Sequence, residues 1–226
     1  MKKYKYILFD ADNTLFDFDM CEKEAFKNAL NFSGIECTDE IYSSYHIINE
    51  ELWKKLEIGL IDRDSLKTER FRLTFEKHGL NNADHIRVAE FYENDLGKHC
   101  YEIDGAFELV EKLSEKYDIY IITNGLTSVQ KSRFSLSRIT QFVKRVFVSE
   151  DVGYSKPNKL FFERVLNCIG ADKNECIVIG DSISSDIDGA INSGIDCIWY
   201  NRKHADPAGR HPDYEIDSIS AVERIL

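Results

Sequence analysis

Residues 6–15 read YILFDADNTL, an apolar run that ends abruptly at two carboxylates, Asp10 and Asp12. The run predicts a buried strand, and residues two apart in a strand point to the same side. Both carboxylates are therefore expected just beyond the end of this strand. Two adjacent carboxylates repel one another unless a cation or a shared proton separates them. The pair indicates a metal site, an acid/base pair or a nucleophile with a partner; an Asp/Asn-rich turn is the alternative.

Further apolar runs alternate with helical patterns along the rest of the chain. Strands are predicted at residues 5–10, 119–123, 145–149, 176–181 and 196–200, with a weaker one at 214–216. Helices are predicted at residues 106–117, 127–139, 160–169, 183–193 and 218–226. Such alternation predicts an α/β fold with a Rossmann-like, mostly parallel sheet that is covered on both faces.

Residues 17–103 break this alternation, because they contain no convincing strand. Ile41, Tyr45 and Leu52 recur at the spacing of a helix face, and a later helix is expected to begin at Asp62 or Asp64. The chain is therefore predicted to comprise an α/β core, residues 1–16 and 104–226, and an inserted all-helical domain, residues 17–103.

Composition limits the classes of partner. The formal net charge is -11 and the pI is about 5.1, which argues against a nucleic-acid polymer, where Lys and Arg must neutralise phosphates. A small phosphate ester remains compatible with this charge if a cation is recruited locally.

Cysteine usage and hydropathy indicate the expected compartment. The six cysteines form no C-x-x-C pair, and we expect reduced, mostly buried thiols. The apolar stretch after Met1 ends at Asp10, too early for a signal peptide, and no run approaches the ~20 residues that span a bilayer. A cytoplasmic protein without membrane contact is expected.

Polar groups follow three other predicted strands. They are Thr123-Asn124-Gly125, then Lys156-Pro157, then Gly180-Asp181-Ser182 with Asp186 one helical turn further on. Taken alone, each segment is also compatible with a purely structural role: a turn, a solvated lysine before proline, or a helix N-cap. In parallel sheets, however, ligands bind at the carboxyl ends of the strands. These groups are therefore expected to meet at one edge of the sheet.

In this order the segments resemble motifs I to IV of the haloacid dehalogenase-like hydrolase superfamily. The matching segments are DADNT at residues 10–14, Thr123-Asn124, Lys156-Pro157 and GDSISSD at residues 180–186. The helical insert resembles the C1-type cap of that superfamily. Residues 122–125 and 147–151 are most similar to its house-cleaning pyrimidine 5'-nucleotidase branch.

The resemblance implies an Mg²⁺-dependent phosphomonoester hydrolase. Asp10 would attack phosphorus and form an aspartyl-phosphate, and Asp12 would act as general acid and then general base. Thr123 and the Asn124 backbone would bind phosphoryl oxygens, and Lys156 would offset negative charge.

The same resemblance implies the metal ligands. Mg²⁺ would be held by the Asp10 carboxylate, the Asp12 backbone carbonyl and Asp181, with Asp186 acting directly or through water. The implied substrates are pyrimidine nucleoside monophosphates. Residues of the insert that could contact the base or sugar are Tyr42, Tyr45, His46, Asn49 and Trp53.

Other functions remain open. Dehalogenases lack an acid at the second motif-I position, so Asp12 favours phosphate chemistry. A phosphatase of a sugar phosphate or phosphoglycolate, or a hexose-phosphate mutase, would carry the same motifs. A signalling receiver domain also uses a phosphorylated Asp with Thr and Lys, but in a different order and without a helical insert.

Overall fold

The computed structural model of the chain describes residues 4–226 and divides them into two compact units. The first unit contains residues 4–18 and Cys100–Leu226, and the second contains Asp19–His99. The domain boundaries predicted from the sequence lie at residues 16/17 and 103/104.

A six-stranded parallel sheet lies at the centre of the first unit. Its strands are β1 (Tyr6–Phe9), β2 (Asp118–Thr123), β3 (Val143–Val148), β4 (Cys176–Gly180), β5 (Asp196–Tyr200) and β6 (Tyr214–Ile216). The strand order is β3-β2-β1-β4-β5-β6, and every pair is parallel. The α/β fold predicted from the sequence is thus confirmed. Strand β1 lies in the interior of the sheet, where its apolar run is covered on both faces.

Register within the sheet aligns the ends of the three inner strands. Phe9 is opposite Ile121 of β2 on one side and opposite Ile179 of β4 on the other. Asp10, which follows Phe9, therefore lies beside the last residues of β2 and β4. This alignment positions the candidate site.

Helices of the first unit connect the strands. They are α5 (Ala106–Ser114), α6 (Thr127–Leu136), α7 (Ser149–Val152), α8 (Lys159–Ile169) and α9 (Asp188–Ser193).

Four predicted helices differ from the observed ones, and the one predicted at residues 106–117 ends at Ser114. The predicted helix 127–139 ends at Leu136 because Ser137 is extended and its hydroxyl caps a separate 3-10 turn at Arg138–Phe142. The predicted helix 183–193 begins instead as a π-turn, Ile183–Ile187, and the C-terminal one is a 3-10 segment, Ile219–Arg224. Capping side chains and tight turns are not encoded in apolar periodicity, which explains these errors.

The second unit is helical, as expected. The chain enters it through α1 (Phe18–Phe32), followed by α2 (Asp39–Glu57), α3 (Arg63–Lys77) and α4 (His85–Leu96). Asp62, and not Asp64, caps α3 by accepting a hydrogen bond from the Ser65 N–H. The rings of Phe26 and Tyr45 stack 4.1 Å apart in the core of this unit.

Two further expectations concern the state of the cysteines and the presence of a membrane-spanning helix. All six cysteines are free, but only Cys21, Cys176 and Cys197 are buried, and Cys168 is exposed. The number of buried cysteines was therefore overestimated from the sequence.

Among residues 4–226, no helix combines the length and apolar character needed to cross a membrane.

Candidate active site

Three carboxylates converge at the carboxyl ends of β1 and β4. Asp10 follows β1, Asp181 follows β4, and Asp186 lies in the π-turn beyond β4. One carboxylate oxygen from each lies within 4.8 Å of the others, and Asp10 and Asp186 are buried. Three carboxylates at this separation form a set of oxygen donors that suits a hard divalent cation such as Mg²⁺.

Lys156 joins two of these carboxylates. Its side chain is 1% exposed, and Nζ donates to Asp10 Oδ1 and to Asp186 Oδ1, both at 2.6 Å. A third hydrogen bond runs to the Ile122 carbonyl at 2.9 Å. An ammonium group has three donors, so every N–H of the Lys156 ammonium group is used in binding these three acceptors.

Electrostatics at this cluster favour an additional cation. Burial raises the pKa of Asp10 to about 7; Lys156 opposes this shift, and the charges of Asp186 and Asp12 add to it. Burial, followed by the charges of Asp10 and Asp186, also raises the pKa of Asp181. The pKa of Lys156 is raised because the two carboxylates outweigh its burial. One ammonium group thus faces three carboxylates, and the surplus negative charge is what a divalent cation would compensate.

The conformation at the end of β4 orients Asp186. Its Oδ2 accepts a hydrogen bond from the Ser182 N–H at 3.1 Å, while Oδ1 accepts from Lys156. A Cβ at Gly180 would lie 2.3 Å from Asp186 Oδ2, closer than atoms can pack. Glycine at this position therefore makes room for the Asp186 carboxylate.

Asn124 and Thr123 lie at the end of β2. The Asn124 side-chain amide pairs with the backbone of Lys156: Nδ2 donates to the carbonyl at 2.8 Å, and Oδ1 accepts from the N–H at 2.9 Å. Thr123 Oγ1 accepts from the Gly125 N–H and from Gln130 Nε2. With two hydrogen bonds accepted, the Thr123 hydroxyl has its proton left to donate. The sequence suggested only the Asn124 backbone; its side chain aligns the Lys156 segment.

Asp12 is held by two residues that the sequence analysis did not identify. Gln130 Nε2 donates to Asp12 Oδ2 at 2.6 Å, and the Arg133 guanidinium donates to Asp12 Oδ1. Both are buried on α6 beside the apolar residues Val129 and Phe134. Polar residues on the buried face of a helix were the signal that could have revealed them.

The five insert residues proposed from the sequence to contact a base or sugar differ in how deeply they are buried. Tyr45 and Asn49 are buried in the core of the helical unit, so neither is exposed for such a contact in this structure. Tyr42, His46 and Trp53 are half-buried.

In a comparison with known protein families, residues 7–200 match the family of haloacid dehalogenase-like hydrolases. The chain belongs to this family. The match covers every motif from Asp10 to Asp186 together with the helical insert. The chain is therefore an enzyme, a haloacid dehalogenase-like (HAD) hydrolase.

Relatives of this HAD hydrolase cover nearly its whole length. It is 36% identical to pyrimidine 5'-nucleotidase PynA of Streptococcus pneumoniae, over 95% of this chain and 92% of the relative. It is 31% identical to pyrimidine 5'-nucleotidase YjjG of Escherichia coli, over 99% of this chain and 98% of the relative. The crystal structure of YfnB from Bacillus subtilis, a HAD hydrolase bound to magnesium, superposes with a TM-score of 0.94 at 34% identity, covering 100% of this chain and 99% of YfnB.

Proposed function

We propose that this HAD hydrolase is an Mg²⁺-dependent phosphomonoesterase that acts on pyrimidine nucleoside 5'-monophosphates through an aspartyl-phosphate. The observation that carries the proposal is the buried cluster in which Lys156 binds both Asp10 and Asp186 at the strand ends. Phosphoryl transfer requires an aligned nucleophile, charge neutralisation and a proton donor. Residues of the right chemistry for each lie at this edge of the sheet.

Asp10 is the proposed nucleophile. Its Oδ1 is engaged by Lys156, so we assign the attack on phosphorus to Oδ2. A bond forms between this oxygen and phosphorus while the bond from phosphorus to the nucleoside oxygen breaks. The product of this step is an acyl phosphate on Asp10 and a free nucleoside.

Asp12 is the proposed acid and base. In the first step it gives a proton to the departing 5'-oxygen, and in the second it takes one from the water that attacks phosphorus. Water then displaces the Asp10 carboxylate and releases inorganic phosphate. The same residue thus starts and ends in the same protonation state.

Thr123, Asn124 and Lys156 are the proposed stabilising groups. The Thr123 hydroxyl has a proton to donate to a phosphoryl oxygen, and the backbone at Asn124 lies beside it. Lys156 balances charge among the carboxylates; any bond from it to phosphate would replace one of its present three. Asn124 holds the backbone of Lys156 in place for this role.

Asp10, Asp181 and Asp186 fit Mg²⁺ by their oxygen donors, their mutual distance and their surplus charge. The Asp12 carbonyl is a further proposed ligand. The ion, when bound, would neutralise charge on the phosphoryl group and keep Asp10 ionised.

The identity of the substrate rests on the relatives. Two of them, at 36% and 31% identity over nearly the whole chain, are named pyrimidine 5'-nucleotidases. We also propose that Asp19–His99 serves as the cap domain of this family. Its half-buried Tyr42, His46 and Trp53 are the residues left as candidates for substrate contact.

A substrate panel tests the proposal. We expect kcat/KM for UMP, dUMP and dTMP to exceed the values for dAMP, glucose 6-phosphate and phosphoglycolate. If a sugar phosphate or phosphoglycolate is preferred by more than about tenfold, equivalent to ~1.4 kcal/mol of transition-state stabilisation, the nucleotidase proposal is wrong while phosphatase activity stands. Formation of a stable phosphorylated product from glucose 1-phosphate would indicate a mutase instead.

A further inference from the structure

Helix α6 carries two polar side chains on its buried face. Gln130 is 1% exposed and Arg133 is fully buried, and they are three residues apart, on adjacent turns. A buried guanidinium costs several kcal/mol of desolvation unless it is paired. Its burial is therefore explained only by what it binds.

Both side chains bind the carboxylate of Asp12. Arg133 donates to Oδ1 and Gln130 donates to Oδ2. Each oxygen of this carboxylate is thereby held by a different turn of the same helix. A carboxylate held at both oxygens cannot rotate about its Cβ–Cγ bond without breaking one of these hydrogen bonds.

Aromatic rings fix Arg133 in turn. The guanidinium carbon lies 5.0 Å from the centre of the Phe16 ring and 5.6 Å from that of Phe18, distances typical of cation–π contact. The Phe16 ring also packs edge-on against Phe134 of α6, at 5.0 Å between ring centres. These rings exclude water from the guanidinium and restrict its orientation.

Gln130 connects Asp12 to Thr123. Its Nε2 donates to Thr123 Oγ1 at 3.1 Å as well as to Asp12. The two residues to which Gln130 donates are both proposed to act on the substrate. Gln130 and Arg133 themselves are buried.

We propose that Arg133, together with Gln130, is a positioning residue for Asp12, and that these two side chains determine where the Asp12 carboxylate delivers and accepts its proton. The inference rests on the proposed role of Asp12. Neither residue is assigned a contact with the phosphate, because the guanidinium is covered by Phe16 and Phe18 and directed at Asp12.

A comparison of two leaving groups tests this inference. Arg133→Met keeps an unbranched apolar stem but removes the guanidinium and its donors. We expect kcat/KM for benzyl phosphate, whose alkoxide needs a proton, to fall by about 10- to 100-fold, a part of the ~10²–10⁴-fold that proton transfer contributes. The value for p-nitrophenyl phosphate, whose leaving group needs little protonation, should fall less than about threefold. Gln130→Met should show the same split with a smaller loss.

Controls separate positioning from folding. Lys131→Met removes an exposed charge from the same helix, where Lys131 lies 3.6 Å from Asp151, and should change neither rate. A loss in Arg133→Met that is equal for both substrates would mean a purely structural role. If Arg133→Met does not fold, the same two substrates are compared in Gln130→Met and in Arg133→Lys.

A double-mutant cycle completes the test. In an Asp12→Asn background, Arg133→Met should lower the rate on either substrate by less than about threefold, because residues that act through one group are not additive. Fully additive losses would overturn the inference. If Asp12→Asn itself gives no difference between the two substrates, its acid role fails and the inference fails with it. If Asp12→Asn lowers the rate on benzyl phosphate more than that on p-nitrophenyl phosphate but the Arg133 and Gln130 variants do not, the inference about positioning alone is wrong.

Discussion

Lys156 Nζ lies 2.6 Å from Asp186 Oδ1, although Lys156 follows α7 and Asp186 lies in the π-turn beyond β4. The same ammonium group binds Asp10, so two buried carboxylates depend on one cation. Substitution of Lys156 therefore leaves two buried carboxylates without this cation. The first two predictions concern residues of this cluster.

Asp10→Asn should abolish turnover while the protein remains folded. The amide is nearly isosteric with the carboxylate but cannot attack phosphorus, and we expect kcat to fall by at least ~10³-fold. Phosphate release measures the loss, and circular dichroism checks the fold. Asp172→Asn is a suitable control, because Asp172 caps a distant turn through Asn174 and Asn caps equally well. Retention of even a tenth of the activity would exclude Asp10 as the nucleophile.

Lys156→Met should destabilise the metal-free protein by ~3–5 kcal/mol, because it leaves the buried Asp10 and Asp186 carboxylates uncompensated. Denaturant unfolding in the presence of a chelator gives this free energy. The double variant Lys156→Met/Asp186→Asn should recover part of the loss, since one of the two unpaired charges is removed. Strictly additive destabilisation would contradict the shared ion pair.

Mg²⁺ should stabilise the protein more at about pH 8 than at about pH 5, since its ligands must be deprotonated. The pKa of Asp10 rises from 3.8 to about 7 on folding. The folded protein therefore binds a proton that the unfolded chain has released, and stability falls as the pH rises between these two values. Mg²⁺ should restore this lost stability and, after treatment with EDTA, the activity.

Melting temperatures with Mg²⁺ and with EDTA across this pH range check the prediction. Ca²⁺ should restore the activity poorly, because its larger and looser coordination shell would displace Asp10. Full activity after exhaustive chelation, or an Mg²⁺ effect on melting that does not depend on pH, would argue against a metal at these carboxylates.

Gly180→Ala should impair the site without any change of charge. The added Cβ would overlap Asp186 Oδ2 at 2.3 Å and Cγ at 2.4 Å, so the carboxylate must move away from Lys156 and the Ser182 N–H. We expect a loss of ~1–3 kcal/mol in unfolding free energy and a larger Mg²⁺ requirement. Wild-type stability and Mg²⁺ affinity in this variant would show that the position of Asp186 is not critical.

His46→Gln should lower stability more at about pH 6 than at about pH 9. His46 Nδ1 lies 2.7 Å from Glu22 Oε2, and this hydrogen bond, supported by Glu50 and Asp19, raises the pKa of His46 above its ordinary 6.5. A raised pKa stabilises the fold below pH 6.5, and this stabilisation is lost as the pH rises through the folded-state pKa. Unfolding of the full chain at both pH values measures the effect, with His211→Gln, at an exposed position, as control. Equal losses at both pH values would exclude the ion pair with Glu22.

The sequence was sufficient to predict the strands and the edge of the sheet at which polar groups collect. Strands β5 and β6 were predicted to the residue, and the others to within two residues at either end. Fully buried strands are short apolar runs that end at polar residues, and β1 shows this pattern clearly at Phe9 and Asp10. Because parallel strands point the same way, the polar groups that follow them lie at the same edge of the sheet. This grouping can therefore be predicted from the sequence alone.

Contacts between distant side chains could not be predicted in this way. Lys156 lies 146 residues from Asp10 in the chain, and Arg133 lies 121 residues from Asp12. The order of the strands and the rotation of α6 on the sheet decide which groups meet. Gln130 and Arg133 were missed because local patterns assign charged and amide side chains to the surface.

The sequence by itself therefore determined the strands, the helical insert and the chemical groups at one edge of the sheet, because these depend on apolar periodicity and on the parallel direction of the strands. Only the tertiary structure decided the partners: Lys156 with Asp10 and Asp186, and Arg133 with Asp12. The physical reason is that burial makes an unpaired charge costly. Which opposite charge satisfies it depends on how distant segments pack, and local sequence does not encode that packing.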